Sequence, residues 1–226
     1  VSQFYGNIED YVVLALLPSY LERDGSSLIY MVEDLIQLTN HPESGFYLNN
    51  HEELIKKLIE LDQSGQNVIL IGVTYALLDL IEKQQFQLQN TIIMETGGMK
   101  GKRKEMIREE VHEVLKRYFG VDAIHSEYGM TELFSQGYAK SQGIFTPAYT
   151  MRVCLREVGD PFALVTQPHK TGGIKVADLG NVDSCSFIET RDLGSLEDDG
   201  IRFKVLGRFD NSEMRGCSLM VSGMGN

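Results

Sequence analysis

The sequence predicts an α/β fold: a parallel sheet with flanking helices, followed by a mostly antiparallel β subdomain. Three observations predict it. Through the first half, short and almost wholly apolar runs alternate with longer runs of helical period. Strands that are apolar throughout are what a parallel sheet needs when helices cover both of its faces. After about Phe145 the pattern becomes short alternating runs punctuated by Pro147, Pro161 and Pro168, the mark of antiparallel strands joined by turns.

The elements follow in order. "YVVLALL" (Tyr11 to Leu17) reads as a buried strand. "SSLIYMVEDLIQL" (Ser26 to Leu38) reads as a helix with a serine cap and apolar positions at Leu28, Met31, Val32, Leu35 and Ile36. His51 to Gly65 is a second helix, with Leu54, Leu58 and Leu61 on one face and a glycine at its end. "NVILIGV" (Asn67 to Val73) is a strand that leads directly into a helix from Thr74 to about Lys83. "NTIIMET" (Asn90 to Thr96) is the next strand. "GGMKGKRK" then turns the chain into a long helix whose Ile107, Val111, Val114, Leu115 and Tyr118 form one stripe. "VDAIHSEYG" (Val121 to Gly129) returns to a strand. Beyond Tyr149, "YTMRVCLRE", "FALVTQ", "GGIKVADL", "CSFIE" and "IRFKVLG" read as strands with no helix between them. These runs divide the chain into an α/β part at 1–146, a β-rich part at 147–206 and a tail at 207–226.

Composition bounds the function. The 226 residues, 42% hydrophobic and 23% charged, are enough to bury a substantial core. A net charge of -11 argues against coating nucleic acid through its phosphates. Three cysteines, Cys154, Cys185 and Cys217, in an odd number and without paired spacing, read as reduced thiols of a cytoplasmic protein. No apolar run reaches membrane-spanning length.

Chemistry in a parallel sheet gathers where strands end and helix N-termini converge. "GVTYA" (Gly72 to Ala76), "ETGGMKGKR" (Glu95 to Arg103) and "HSEYGMTE" (His125 to Glu132) qualify by position. Gly97 and Gly98 allow close approach to a ligand, although a tight turn before a helix is the plainer reading. The basic run Lys100, Lys102, Arg103 and Lys104 reads as a solvated face ahead of a phosphate patch. "EYGMTE" is more informative, because its hydroxyl can donate to a phosphate and its carboxylate can hold Mg²⁺. Asp192 and the Arg208/Asp210 pair, read as lying at turns after strands, supply a carboxylate for ribose hydroxyls and a guanidinium for ribose or phosphate oxygens. Each of these could equally be a salt bridge. The five histidines have no metal-ligand spacing, and His125 reads as a satisfied strand-end residue.

These motifs carry a family resemblance. "HSEYGMTE" resembles the Tyr-Gly-x-Thr-Glu motif of adenylate-forming enzymes. "FIETRDLG" (Phe187 to Gly194) resembles their later Thr-Gly-Asp motif, with Arg191 in place of its glycine. "LGRFDNSEMRGCSLM" (Leu206 to Met220) resembles their Gly-Arg-x-Asp hinge. "SGFYLNN", "GVTYALLDL" and "ETGGMKGKRKEM" are similar to stretches of the LuxE-type acyl-protein synthetases, with the phenylacetate–CoA ligases the next relatives. That resemblance implies condensation of a fatty or other carboxylic acid with ATP, aided by Mg²⁺, to acyl-AMP. It further implies transfer of the acyl group to an enzyme cysteine for delivery to a reductase partner. By the resemblance, Gly97, Gly98 and Met99 line the adenine and carboxylate site, Tyr128 stacks near the adenine, and Gly129 belongs to the nucleotide-binding set. Thr131 contacts phosphate, Glu132 holds Mg²⁺, Asp192 binds ribose with help from Arg208, and Asp210 marks the hinge. Cys217 stands where the acyl acceptor is expected, its alternative being an inert partly buried thiol, and Cys154 and Cys185 read as structural. The superfamily's Ser/Thr/Gly-rich phosphate loop is not in the sequence, so the expectation is a fragment, or a front that is disordered or removed, with apolar surface open to self-association. The C-terminal domain with its lysine is not in the sequence either, which fits the shorter build of the luminescence-type synthetases. Two other readings stay open: a CoA ligase using coenzyme A, and an inactive relative that binds nucleotide or a partner.

Overall fold

The computed structural model describes residues 1–18, 25–48, 50–99, 102–103 and 106–209, which fall into two compact units, Val1–Phe145 and Thr146–Asn226. Asp210 and Cys217, with Lys100, Lys104 and Glu105, lie outside the described residues.

The first unit opens with a short helix, α1 (Ser2–Tyr5), and a strand, β1 (Val12–Leu16). Then come α2 (Ser27–Thr39), β2 (Gly45–Tyr47), α3 (His51–Gln63), β3 (Val68–Val73) and α4 (Thr74–Lys83). It continues with β4 (Thr91–Thr96), α5 (Arg108–Phe119), β5 (His125–Tyr128) and β6 (Gly137–Ala139). β7 (Ile144–Pro147) carries the chain across the division between the units. The strands run in the order β2-β1-β3-β4-β5-β6. The first five are parallel and β6 is antiparallel to β5.

Local chemistry explains these boundaries. Every residue of β1 and β3 is buried, so both faces of the sheet centre are covered, as their unbroken apolar runs require. Each fully buried leucine there contributes roughly 1.5–3 kcal/mol. The Ser26 hydroxyl caps α2 by accepting from the Ile29 N–H at 3.4 Å, and Asn50 caps α3 by accepting from Glu53 N–H at 3.3 Å. α5 carries Glu109 and Glu110 in its first turn and Lys116 and Arg117 in its last, which suits the helix dipole, and it stops at Gly120 with φ 70°. Gly72 admits no side chain, because a Cβ there would stand 2.7 Å from Leu77 Cδ2, so α4 packs tightly on the strand that feeds it.

One stripe is rotated from its sequence expectation. The buried residues of α5 are Val111, His112, Leu115 and Phe119, whereas Ile107 precedes the helix and is 62% exposed and Tyr118 is 38% exposed. The polar His112 turns inward because a buried carboxylate awaits it, as described below.

At the N-terminal end of β4, the buried Asp62 of α3 organises the approach to the strand. Its carboxylate accepts from the backbone N–H groups of Gln89 and Asn90 and from the Thr91 hydroxyl, at 2.8–3.1 Å.

The second unit is an antiparallel sheet of β8 (Met151–Arg156), β9 (Leu164–Val165), β10 (Gly172–Asp178), β11 (Phe187–Leu196) and β12 (Phe203–Arg208). Their order is β12-β11-β10-β8-β9. Strand β11 runs ten residues, so Asp192 lies within a strand and not at a turn after one. Its register shifts against β10 between Gly173 and Lys175, and against β12 between Leu193 and Gly194. Cys154, on β8, and Cys185, in the connection before β11, are both exposed thiols. No described helix is long and apolar enough to cross a membrane.

Candidate active site

The parallel register brings β3, β4 and β5 to an end along one edge. Val73 pairs with Thr96, and Glu95 with Ser126. Three segments leave that edge: Thr74 opening α4, Gly97–Met99 after β4, and Gly129–Glu132 after β5.

Beneath them lies a network with Glu95 at its centre. Glu95 is 5% exposed, at the end of an otherwise apolar strand. Its Oε2 accepts from the Thr74 hydroxyl at 2.9 Å, and its Oε1 from the Ser126 hydroxyl at 2.7 Å. Arg108 Nε and His112 Nε2, from α5, lie 3.4 and 3.5 Å from Oε1. Burial alone pushes this carboxyl up. The His112 contact, the Arg108 guanidinium and the Ser126 hydroxyl outweigh it and hold Glu95 at about 2. An ionised carboxylate thus pins the starts of α4, α5 and the β5 turn together.

A second carboxyl stands on the other side of β5. Glu127 Oε2 accepts from the Thr96 hydroxyl at 2.7 Å. Desolvation pushes Glu127 up to about 7, with the Thr96 hydrogen bond opposing and the negative charge of Glu95 assisting. Two carboxyls on adjacent strand ends are therefore driven apart, one ionised and one poised near neutrality.

Of the residues expected in the site, Gly97 and Gly98 are exposed and take φ 72° and 70°, a conformation open to glycine and costly for other residues. Met99 is buried at 4% exposure. Tyr128 is buried too, its ring packed edge-on to Phe145 with centroids 5.9 Å apart. Gly129, Thr131 and Glu132 are exposed at the turn. The Thr131 hydroxyl meets that of Ser27, at the start of α2, at 3.1 Å. The basic run offers no open phosphate patch among its described members. Lys102 is exposed, while Arg103 is bound to Asp79 and Glu82 of α4. His125 accepts or donates at Nδ1 to the Tyr5 hydroxyl, 3.0 Å away, and is a satisfied residue.

In the second unit Asp192 and Arg208 face each other in register, 3.4 Å from Oδ1 to Nε. Among the described residues no three His, Cys, Asp or Glu side chains gather to hold a metal. Two cavities of the first unit, about 370 Å³ beside Tyr47 and Lys57 and about 440 Å³ beside Asp62 and Phe86, are lined by none of these residues.

Sequence reasoning missed His112, Arg108 and Ser27, and it placed Glu95, Ser126 and Glu127 in candidate segments without giving them a role of their own. A signal existed for one of them: a glutamate closing the apolar run "TIIME" is a buried charge that demands partners.

A family model described as "Acyl-protein synthetase, LuxE" matches residues 36–224. No curated protein matches the sequence. Among solved structures, the chain is similar to the O-succinylbenzoate coenzyme A synthetase of Bacillus subtilis in complex with ATP and magnesium ion, at 18% identity and TM-score 0.54. That match covers 88% of this chain and 42% of the other. A long-chain-fatty-acid–CoA ligase from Archaeoglobus fulgidus matches at 10% identity and TM-score 0.60, over 96% of this chain and 47% of that one. The adenylation domain of a keto acid-selecting NRPS module, bound to keto acyl adenylate, matches at 14% and 0.60, over 95% and 49%. The chain spans less than half of each, and at these identities the likeness is one of fold: the mixed sheet with flanking helices of an adenylate-forming domain. Because the family model covers most of its length, the chain belongs to the LuxE acyl-protein synthetase family of the adenylate-forming superfamily.

Proposed function

We propose that the chain is part of an adenylate-forming ligase, which joins a carboxylic acid to ATP as acyl-AMP and releases pyrophosphate. The observation that carries this reading is the meeting of two turns. Gly97–Gly98 and Gly129–Glu132 leave adjacent parallel strands and are tied together by the hydrogen bond from Thr96 to Glu127. Their exposed glycines, hydroxyl and carboxylate suit a nucleotide.

In the reaction a carboxylate oxygen of the acid bonds to the α-phosphorus of ATP as the bond to pyrophosphate breaks. The chain's residues orient and neutralise; none needs to form a covalent bond at this step. Gly97 and Gly98 leave the backbone open to the adenine and the acid, with Met99 closing the turn from below. Gly129 lets the chain pass beside the base and Tyr128 supports it. Thr131 donates to phosphate. Glu132, an exposed carboxylate at the turn, would hold Mg²⁺, which would supply charge neutralisation at the phosphates. Asp192 binds the ribose hydroxyls, with Arg208 assisting.

The acceptor is the finer question. The family description supports transfer to a protein thiol, for which Cys217 is the candidate, a thiolate being a strong nucleophile. The likeness in fold to CoA synthetases and ligases supports coenzyme A instead. Within this proposal the acid is a fatty acid, an acyl reductase takes up the product, and the use of ATP and free thiols favours the cytoplasm.

The test is the intact mass of the complete gene product after incubation with ATP, Mg²⁺ and mixed fatty acids. A hydroxylamine-labile adduct lost in Cys217→Ala supports the protein acceptor, and CoA-dependent release of AMP supports the CoA ligase. No acid-dependent pyrophosphate release under either condition overturns the adenylation reading.

A further inference from the structure

Glu127 has no role in the motif to which it is joined, yet its surroundings are unusually determined. It precedes Tyr128 on β5, and it accepts a 2.7 Å hydrogen bond from Thr96, the residue before Gly97. Its Oε1 lies 2.5 Å from the place a Cβ on Gly129 would occupy, so the carboxyl fills the space above the glycine of the motif. Its cross-strand partner on β6 is Tyr138, whose buried hydroxyl has no partner among the described residues. One carboxyl thus touches the residue before each turn's glycine or the glycine itself.

We propose that Glu127 is a positioning residue for acyl-adenylate formation, holding the Thr96–Gly98 turn and the Tyr128–Glu132 turn at a fixed spacing through its hydrogen bond to Thr96. This rests on the adenylation reading above. A shift of about 1 Å between groups that flank a reacting centre is enough to slow it roughly a hundredfold. Glu95 leaves the task to Glu127, because its own oxygens already face Thr74, Ser126, Arg108 and His112 on the other side of β5.

The test uses acid-dependent ATP–pyrophosphate exchange by the complete gene product. Glu127→Ala and Thr96→Val are each expected to lower kcat about 30-fold or more, with KM for ATP changed less than about threefold. Glu127→Gln, whose amide oxygen still accepts from Thr96, is expected to stay within about threefold of the unaltered enzyme. The double variant Thr96→Val/Glu127→Ala is expected to be no slower than the worse single one, as two ends of one interaction require. If Glu127→Ala does not fold, Thr96→Val, near-isosteric and lacking only the donor, carries the test. Unchanged kcat in Thr96→Val, a Gln variant as slow as Ala, or additive losses would overturn the proposal while leaving adenylation intact. An unaltered protein with no exchange for any acid removes the adenylation reading and this proposal together.

Discussion

Asp192 on β11 and Arg208 on β12 stand directly opposite each other, with the guanidinium Nε 3.4 Å from the carboxylate Oδ1. The two residues lie in separate sequence motifs, and the antiparallel register makes them one feature. Arg208 is three-quarters exposed while Asp192 is largely covered, so the pair presents its cation outward and its anion from within the sheet. With its cation exposed and screened by solvent, the pair is worth little to stability, and under the proposed function its consequence is ligand binding.

Asp192→Asn and Arg208→Ala are therefore expected to leave the melting temperature nearly unchanged. Asp192→Asn is expected to raise KM for ATP about 10-fold or more, by the loss of charge-assisted hydrogen bonds worth about 1.5–3 kcal/mol. Steady-state exchange kinetics alongside thermal melts check this. A large loss of stability with normal KM would assign the pair to the fold alone.

Asp62 gives the opposite expectation. Its carboxylate satisfies two backbone N–H groups and the Thr91 hydroxyl at a buried position. Removing it leaves buried donors without partners, at about 1–3 kcal/mol each when water cannot reach them. Asp62→Ala is expected to cost roughly 3 kcal/mol in a urea titration. Asp62→Asn is expected to cost less, because its amide oxygen still accepts.

Stability is expected to depend on pH through Glu127. Its folded value of about 7 exceeds its ordinary 4.5, so between these values the folded chain holds a proton that the unfolded chain releases. Burial raises it first, the negative charge of Glu95 on β4 assists and the Thr96 hydrogen bond opposes, while Tyr138 of β6 is its cross-strand neighbour. The contribution is fully present below pH 4.5 and is lost as pH rises through 7. Between pH 5 and 7.5 the chain is expected to lose about 2 kcal/mol relative to Glu127→Gln. Glu95, held at about 2, has the reverse sign: its contribution is present above pH 4.5 and is lost as pH falls toward 2. Urea midpoints of the two proteins at both pH values decide the matter.

Glu132 is exposed at the turn after β5. Glu132→Gln is expected to change unfolding free energy by no more than about 0.5 kcal/mol, as is usual for exposed sites. It is also expected to raise the Mg²⁺ concentration for half-maximal exchange at least about 10-fold. An unchanged Mg²⁺ requirement would remove its assignment as the ion's ligand.

The sequence by itself determined the layered architecture, because the signals for it are local. Unbroken apolar runs such as Val68 to Val73, short and followed by helical patterns, suit buried strands in a sheet covered on both faces, and Ser26 starts a helix by a bond within four residues. It also determined which turns carry the hydroxyl, the carboxylate and the glycines. The tertiary structure decided what each polar group meets. Glu95 finds Ser126, and Thr96 finds Glu127, each across 31 residues, and whether a carboxyl is ionised depends on those partners and on the water excluded around it. The inward turn of His112, the exposure of Ile107 and the placing of Asp192 inside a strand have the same origin. Local periodicity marks where a face lies only to within a residue or two, and a buried charge or a strand partner supplied from far along the chain then chooses which side chain turns in.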